Sequence, residues 1–521
     1  MSVPSRTLVA VRTVLVPHGD GATVIRTDES GEPVGPPQRT RDVAATVRDL
    51  EATDRPRWVF EDSARVCPPL LAAGVRVARS HDLRLTGALL DVRAGRAASV
   101  PDVPVDERPG LFDAVPAPAP EAVVERHRRQ VAAVAHDPRL RLLVAAESAG
   151  GLAAAEMSHD GLPFSTDAHL ALLGRALGPR TPDHMLPVRL HEVADEVSAA
   201  FGRQVNPASQ PEVVAAFARQ GIELNSTRKY LLREIDHPAV EPLLRYRDLA
   251  KLHAANGWTW LDMWVRGNRF RPVYVPGGVV SGRWASRGGG ALQIPKALRS
   301  SVLADPGHTF VIADAGQLEP RILAAMSADP RMTAAAGADD LYALVAAEAF
   351  GGDRAKAKVA ILGVLYGATA GAARSLLALL RKRFPVAVQL VEDAARAGER
   401  GEVVHSWLGR ACPPPPDAWW SNGDTHARGR FTRNFVVQAT AAEWALCLLA
   451  DLRRRLAASP EDGELVFFQH DEVVVHTRRP GAAVPHVLAA AESATRLLFG
   501  DTAVRFPMDV QVRECYADPE E

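Results

Sequence analysis

The chain has 521 residues, enough for two or more domains, and its 47% hydrophobic content is that of an ordinary globular protein. A formal net charge of −1 excludes a globally basic nucleic-acid-binding protein, so any phosphate contacts must come from local Lys and Arg residues. The four cysteines form no Cys-x-x-Cys pair, which disfavours a structural zinc site and a disulfide framework. No signal-peptide core and no uninterrupted apolar run of bilayer length is found, which predicts a cytoplasmic protein without a membrane partner.

The elements predicted along the chain begin with β-strands and continue as a long helical region. Residues 7–16 and 22–27 are rich in β-formers and flank a Gly-Asp-Gly turn, which predicts a hairpin. Six prolines between residues 101 and 120 predict a stiff linker. Apolar residues at helical spacing predict helices over 122–135, 140–157, 166–177, 210–220 and 240–255, and a second helical block over 341–400. Strand patterns return at 465–475 and 504–512.

The first chemically informative segment is an apolar strand, residues 309–313, that ends in Asp314. A carboxylate at the end of a buried strand is held by rigid backbone and can bind a metal ion with little reorganisation. Gly316 permits a tight turn, and Pro320 is tolerated in the first turn of the helix that follows. The plainer interpretation is that Asp314 only caps that helix.

The second segment is a predicted helix with informative residues at every fourth position, Arg354, Lys358, Leu362 and Tyr366. Positions four apart drift by about 40° per step, so these side chains form one slowly turning stripe. Such a stripe could bind a triphosphate through its two cations and stack a base or sugar near its end. The plainer alternative is a solvated basic helix end followed by an ordinary buried tyrosine.

The third segment is a hairpin with polar residues 469–472, Gln-His-Asp-Glu, between two apolar strands. A solvated turn is the simplest explanation, but polar residues between fully apolar strands need a partner, and a divalent cation would be one. Asp314 and Asp471, from distant segments, could together hold two Mg²⁺ ions roughly 3.5–4 Å apart. Carboxylates, metal ions and helix cations are the groups that stabilise a phosphoryl transition state, so the ordered set predicts nucleotidyl transfer.

From about residue 120 to its C-terminus the chain resembles the family A DNA polymerases of the bacterial DNA polymerase I type. The resemblance depends on residues 314–321, on the stepped helix ending in Tyr366-Gly367, and on His470-Asp471-Glu472. Residues 246–252, 281–286, 292–295 and 440–443 also match segments of the family.

The resemblance implies an α+β fold in which a right-hand polymerase domain follows a small α/β, RNase H-like domain. It places an exonuclease-like domain and linker in residues 1–118 and the polymerase in 119–521. Within the latter, the thumb would span about 121–265, the fingers about 331–404, and the palm about 266–330 and 405–521. In the N-terminal domain Val66 falls near an expected Asp, and no Asp-x-Glu ends an early strand. We therefore predict a degenerate 3′–5′ exonuclease-like domain without nuclease activity.

The resemblance also implies a role for each site residue. Asp314, Asp471 and the Ala315 carbonyl would bind two Mg²⁺ ions, with Mn²⁺ able to substitute. The implied catalytic set is Asp314, Asp471, Glu472 and Lys358. Glu319 would exclude a ribose 2′-hydroxyl. The implied dNTP-binding set is Arg354, Lys358, Leu362, Tyr366, Glu319, Gln317 and Tyr342. The implied DNA-binding set is Arg283, Gln293, Arg430, Asn434, Gln438 and His470.

The implied partners are primer-template DNA and dNTPs, and the implied state is a nucleoid-associated monomer active in repair or gap filling. Leu362 replaces an aromatic residue, Tyr342 a phosphate-contacting His, and Ala315-Gly316 a Tyr-Ser pair, which predicts a slower or specialised enzyme. Three alternatives remain. A catalytically inactive DNA-binding protein is disfavoured by the retained aspartates, a single-subunit RNA polymerase by Glu319, and a nuclease by the missing N-terminal carboxylates.

Overall fold

The computed structural model describes residues 12–19, 21–96, 118–182, 185–287, 289–290, 294–367 and 372–517, with only the backbone of 372–376. Contacts divide the chain into two compact units. The first comprises Met1–Asp160, Val273–Arg287 and Pro306–Glu514, and the second comprises Gly161–Pro272, Gly288–Asp305 and Cys515–Glu521. The predicted proline-rich linker and Gln293 fall mostly or wholly outside the described residues.

The N-terminal part of the first unit is a five-stranded sheet with helices on both faces. Its strand order is β3-β2-β1-β4-β5, with β1 to β3 antiparallel and β4 and β5 parallel to β1. Consecutive residues Val14, Leu15 and Val16 are all buried, because helices cover both faces of the sheet. Its elements are β1 Arg12–His18, β2 Gly21–Thr27, β3 Gln38–Thr40, α1 Val43–Thr53, β4 Arg57–Phe60, α2 Ser63–Ala72, β5 Arg79–Asp82, α3 Leu83–Arg93, α4 Pro120–Val134 and α5 Pro138–Asp160.

The second unit is mainly helical. Its largest apolar cluster forms around Phe201, Val213, Phe217 and Leu243, where three amphipathic helices pack together. Three two-residue strands pair in the order β6-β8-β7. The elements are β6 Leu162–Pro163, α6 Thr166–Leu177, α7 Val188–Ala200, α8 Gln210–Arg219, α9 Lys229–Leu232, α10 Val240–Asn256, α11 Trp258–Trp264, β7 Val265–Arg266, β8 Arg269–Phe270 and α12 Lys296–Arg299.

The remainder of the first unit is built on a four-stranded antiparallel sheet of order β12-β13-β11-β14. Val473, Val474 and Val475 of the inner strand β13 are fully buried. The elements are β9 Val273–Val275, β10 Ala285–Arg287, β11 Thr309–Ala315, α13 Leu318–Ser327, α14 Pro330–Ala336, α15 Leu341–Ala349, α16 Arg354–Tyr366, α17 Ala372–Arg383, α18 Pro385–Glu399, α19 Trp419–Asn422, α20 Thr425–Ala458, β12 Glu464–Gln469, β13 Glu472–Thr477, α21 Pro480–Phe499 and β14 Met508–Arg513.

Helix α20 is the longest described helix, with 34 residues, and most of them are buried. It packs against α5, α18 and α21. Near its C-terminal end the buried Arg453 pairs with Glu156 of α5 at 2.7 Å and donates to the carbonyl of Ala78. By length and composition alone α20 could cross a membrane, but 89% of its most apolar window is buried inside the protein.

The predicted α+β class is confirmed, and so are most predicted elements in the described residues. The first hairpin forms from β1 and β2, the helical region contains α4 to α8 and α10, and residues 341–400 hold α15 to α18. Asp353 caps α16 by accepting a hydrogen bond from the backbone of Lys356. The last strand begins at Met508 rather than at residue 504.

Candidate functional site

Two carboxylates predicted as metal ligands meet at one edge of the four-stranded sheet. Asp314 is the penultimate residue of β11, and Asp471 lies in the turn between β12 and β13. Pairing of β11 with β13 brings Asp314 opposite Glu472, and the Ala315 N–H donates to the Asp471 carbonyl oxygen at 3.2 Å. The helix-cap interpretation of Asp314 is wrong, because the residue at the N-cap of α13 is Gln317. The fold thus joins segments more than 150 residues apart.

The electrostatics of this edge are those of an oxygen-rich cation site. Burial, and then the charge of Asp314, raise the pKa of Asp471 to about 7, against the opposing charge of Arg283. The pKa of Asp314 is also raised, by burial and by Asp509. Asp509 lies directly across the ladder from Asp314 on β14. Carboxylates whose pKa is raised by burial and by a neighbouring carboxylate are stabilised by a divalent cation, and oxygen donors suit Mg²⁺ and Mn²⁺, so this donor set fits such ions.

Glu319 is held between two partners beside the carboxylate pair. Its carboxylate accepts a hydrogen bond from the Tyr366 hydroxyl at 2.8 Å and forms an ion pair with Arg283. Glu319 is largely buried, whereas Tyr366 is 44% exposed at the end of α16. Burial and the neighbouring carboxylate raise the pKa of Tyr366 to about 12, so its hydroxyl remains a donor at neutral pH. Glu319 therefore occupies a fixed position.

A second polar network connects the start of α13 with the start of α16. Gln317, at a left-handed φ of 57°, donates to Asp340 at 2.9 Å and accepts from the backbone N–H of Leu341 at 2.9 Å. Asp340 accepts from the Arg354 Nε at 2.7 Å. The Arg354 guanidinium lies 5.6 Å from the ring centre of Tyr342, which is buried. Asp340 thereby orients a cation that the sequence predicts to bind phosphate.

The remaining predicted residues of α16 differ in exposure. Lys358 is exposed and Leu362 half-buried. The helix ends at Gly367, whose φ of +70° favours glycine, and a Cβ there would lie 3.0 Å from the Arg430 Cγ. This close approach brings the end of α16 against α20.

Arg430, Asn434 and Gln438 are four residues apart on α20 and so share one side of the helix. Arg430 is exposed, whereas Asn434 and Gln438 are half-buried. The Asn434 Oδ1 atom is buried without a hydrogen-bond partner among the described residues. Arg283, His470 and Asp471 line one small cavity together with Leu318 of α13. His470 has a left-handed φ of 59°, which costs an L-residue roughly 1 kcal/mol.

The structure also shows important residues that sequence reasoning did not select. Arg321 of α13 is fully buried, and its guanidinium donates to the carbonyl oxygens of Gly316, Ala336, Arg505 and Asp339. Asp340 had a detectable signal, since an Asp preceding an apolar helical run predicts an N-cap. Asp509 had a weaker one, a lone acidic residue within the predicted strand 504–512. The contacts of Arg321 had none, because they depend on three distant segments.

Comparisons with known proteins bear on this site. The model of DNA polymerase family A matches residues 182–514. DNA polymerase I of Chloroflexus aurantiacus is 28% identical over 46% of this chain and 28% of its own length. The thermostable DNA polymerase I of Thermus aquaticus is 27% identical over 54% of this chain and 36% of its own length. The matched segment of the chain thus spans about a third of these relatives.

A solved structure, the POL domain of Pol1 from M. smegmatis in complex with DNA primer-template and dNTP, shares the fold. It has a TM-score of 0.74 and 19% identity, and the match covers 98% of this chain and 96% of that one. The family model covers well over half of the sequence. The protein is therefore a member of DNA polymerase family A.

Proposed function

We propose that the protein is a template-directed DNA polymerase that adds dNTPs to a primer 3′ end. The observation that carries this proposal is the convergence of Asp314 and Asp471 at one sheet edge, beside Glu319 and its partners Arg283 and Tyr366. The M. smegmatis relative of this fold was solved with primer-template and dNTP, which supports the same partners here.

Each element of the site has a task in this reaction. Asp314, Asp471 and the Ala315 carbonyl would hold two Mg²⁺ ions, whose chemistry is to activate the primer 3′-hydroxyl and neutralise the triphosphate. Arg354, oriented through its Nε by Asp340, keeps its terminal nitrogens available for phosphate oxygens, and Lys358 follows one turn later. Loose phosphoryl transition states are stabilised mainly by such positioned positive charge.

Glu319 sets sugar selection in this proposal. Because Tyr366 and Arg283 hold its carboxylate, it cannot swing away to accommodate a 2′-hydroxyl. Leu362 and Tyr342, which depart from the family pattern, would line the nucleotide side of the same site. Arg430, Asn434, Gln438 and His470 would contact the DNA, and Glu472 would support the primer terminus.

The decisive experiment is primer extension with Mg²⁺ and four dNTPs. We expect Asp471→Asn to reduce extension by at least 10³-fold, while the matched control Asp501→Asn, a change of an exposed carboxylate after α21, retains it. Equal extension by both variants would refute the catalytic role. DNA binding without any extension by the unmodified chain would instead favour the inactive DNA-binding alternative.

We also propose that the N-terminal domain lacks nuclease activity. The acidic residues at the carboxyl ends of β4 and β5 already have protein partners. Glu61 pairs with Arg126, Asp62 with Arg84 at 2.9 Å, and Asp82 accepts from the backbone N–H groups of Ser63 and Leu85. Metal-dependent shortening of a 3′-labelled single strand by the Asp471→Asn variant would contradict this proposal.

The finer parts of the proposal are the domain limits given above, a monomeric state, a preference for Mg²⁺, and a role in gap filling at the nucleoid. Sedimentation of the chain with and without primer-template tests the monomer. Titration of extension with Mg²⁺ and Mn²⁺ tests the metal preference.

A further inference from the structure

Three arginines lie side by side where the N-terminal sheet begins. Arg12, Arg57 and Arg79 are the first residues of β1, β4 and β5, and the strand registers place Arg12 beside Arg57 and Arg57 beside Arg79. Like charges directly opposite each other on neighbouring strands are destabilising. None of the three forms an ion pair with a carboxylate within the part of the chain that the structure describes. Burial lowers the pKa of Arg12 against the opposing charges of Glu29 and Asp28, whereas the charges that act on Arg57 are those of Arg79 and Arg12.

The hydrogen bonds of these arginines go to neutral groups. Arg57 donates to the Ser80 carbonyl at 3.0 Å, and Arg12 contacts the His127 imidazole at 3.1 Å. Burial, followed by repulsion from Arg79 and Arg12, lowers the pKa of Arg57 to about 10. Burial also lowers the pKa of His81, to about 4, so this neighbouring imidazole is neutral. The positive charge at this end of the sheet therefore belongs to the arginines and not to His81.

Arg12 and Arg57 open into a cavity of about 630 Å³, a size typical of small-ligand sites. One wall is apolar and consists of side chains from α4 and α5, including Val131, Val134 and Val144. Arg128 and Arg141 add charge at exposed positions, although Arg128 pairs with Glu32 and Glu125. Glu29 and Glu32 also line the cavity, and Glu32 is the partner of Arg128. The cavity therefore combines an arginine-rich end, which also carries these two carboxylates, with an apolar wall.

We propose that this cavity binds a phosphate group carried on an apolar or aromatic body, with Arg12 and Arg57 as the phosphate ligands. A nucleotide has this chemistry, whether it is free or forms the phosphorylated end of a nucleic acid strand. Planar guanidinium groups bind phosphate oxygens in pairs, and the apolar wall accommodates a base or a similar ring. The site lies at the opposite ends of the strands from Glu61 and Asp62, and it is separate from the carboxylate pair of the proposed polymerase.

The test is ligand-dependent thermal stability of the full chain, measured without divalent metal so that the polymerase site does not contribute. We expect dAMP or inorganic pyrophosphate at 10 mM to raise the melting temperature by at least 2 °C. We expect Arg57→Gln and Arg12→Gln to abolish that shift. The control Arg39→Gln, which changes an exposed arginine on β3 of the same sheet, should retain it.

The ligand-free variants supply a second readout. Removal of the middle one of three neighbouring positive charges should leave Arg57→Gln at least as stable as the unmodified chain, whereas a purely structural arginine would lower the melting temperature when replaced. If Arg57→Gln fails to fold, Arg12→Gln provides the same comparison.

Binding of 5′-phosphorylated and 5′-hydroxyl oligonucleotides separates the two sources of phosphate. A preference of tenfold or more for the phosphorylated strand that disappears in Arg57→Gln indicates a strand end, and a response to dAMP alone indicates a free nucleotide. The proposal would be overturned if none of dAMP, pyrophosphate and a phosphorylated strand stabilised the protein. It would also be overturned if these ligands stabilised the Arg12→Gln and Arg57→Gln variants as much as the unmodified chain.

Discussion

Arg321 allows a sharp test of how the turn after Asp314 is held. In Arg321→Met the side chain keeps its apolar length but loses every hydrogen bond to the carbonyls of Gly316, Ala336, Arg505 and Asp339. The Ala336 carbonyl still accepts from the Arg505 N–H, so three carbonyls lose their partner. At about 1 kcal/mol or more for each, the variant should lose about 3 kcal/mol of folding stability.

A loss of this size is a large part of the 5–15 kcal/mol of stability typical of domains, and should lower the midpoint of urea unfolding clearly. Tryptophan fluorescence of the purified chain reports that midpoint. The matched control is Arg331→Met, an exposed arginine of α14, which should change stability by no more than about 0.5 kcal/mol. If the two variants unfold at the same urea concentration, the account of Arg321 as the support of this turn is wrong.

Three further outcomes follow from contacts near the site. Tyr366→Phe loses one exposed hydrogen bond to Glu319, so stability should fall by less than about 1 kcal/mol while ribonucleotide incorporation rises, as measured by unfolding and by extension with rNTPs. Gly367→Ala should cost roughly 1 kcal/mol and slow extension, because of its positive φ and the nearby Arg430; unchanged melting would contradict this. Burial raises the pKa of Glu443 to about 7, so folding favours its protonated form and stability falls as pH rises from about 4.5 to 7. Glu443→Gln should flatten the pH–melting profile over that range, and an unchanged slope would count against the assignment.

The site-bearing elements were predictable because each has a local signal. Asp314 follows an apolar strand, Asp353 precedes a helical run, and residues 469–472 separate two apolar strands. Hydrophobic periodicity and helix-capping preferences are therefore sufficient to assign these residues to their elements. The pairing of β11 with β13 could be inferred only through the family resemblance, since strand partners distant in sequence leave no local pattern.

What could not be predicted depends on tertiary contacts. The position of Glu319 between Arg283 and Tyr366 joins three separate segments, and so do the hydrogen bonds of Arg321. The row of Arg12, Arg57 and Arg79 appears only once strand register is known, because a shift of one residue would move these side chains to the other face.

Helix α20 is long enough to connect the N-terminal sheet and α5 with the residues proposed to contact DNA. Arg430 and Arg453 are separated by 23 positions, or roughly 35 Å along a rigid rod. A tilt of about 3° at the end anchored to Glu156 would therefore move the other end by roughly 2 Å. The N-terminal sheet and α5 thus anchor one end of α20, and the other end carries Arg430 and Asn434 beside the end of α16. Weakening of that anchor, for example by Glu156→Ala, would shift Arg430 and Asn434 although no residue of the proposed site is changed.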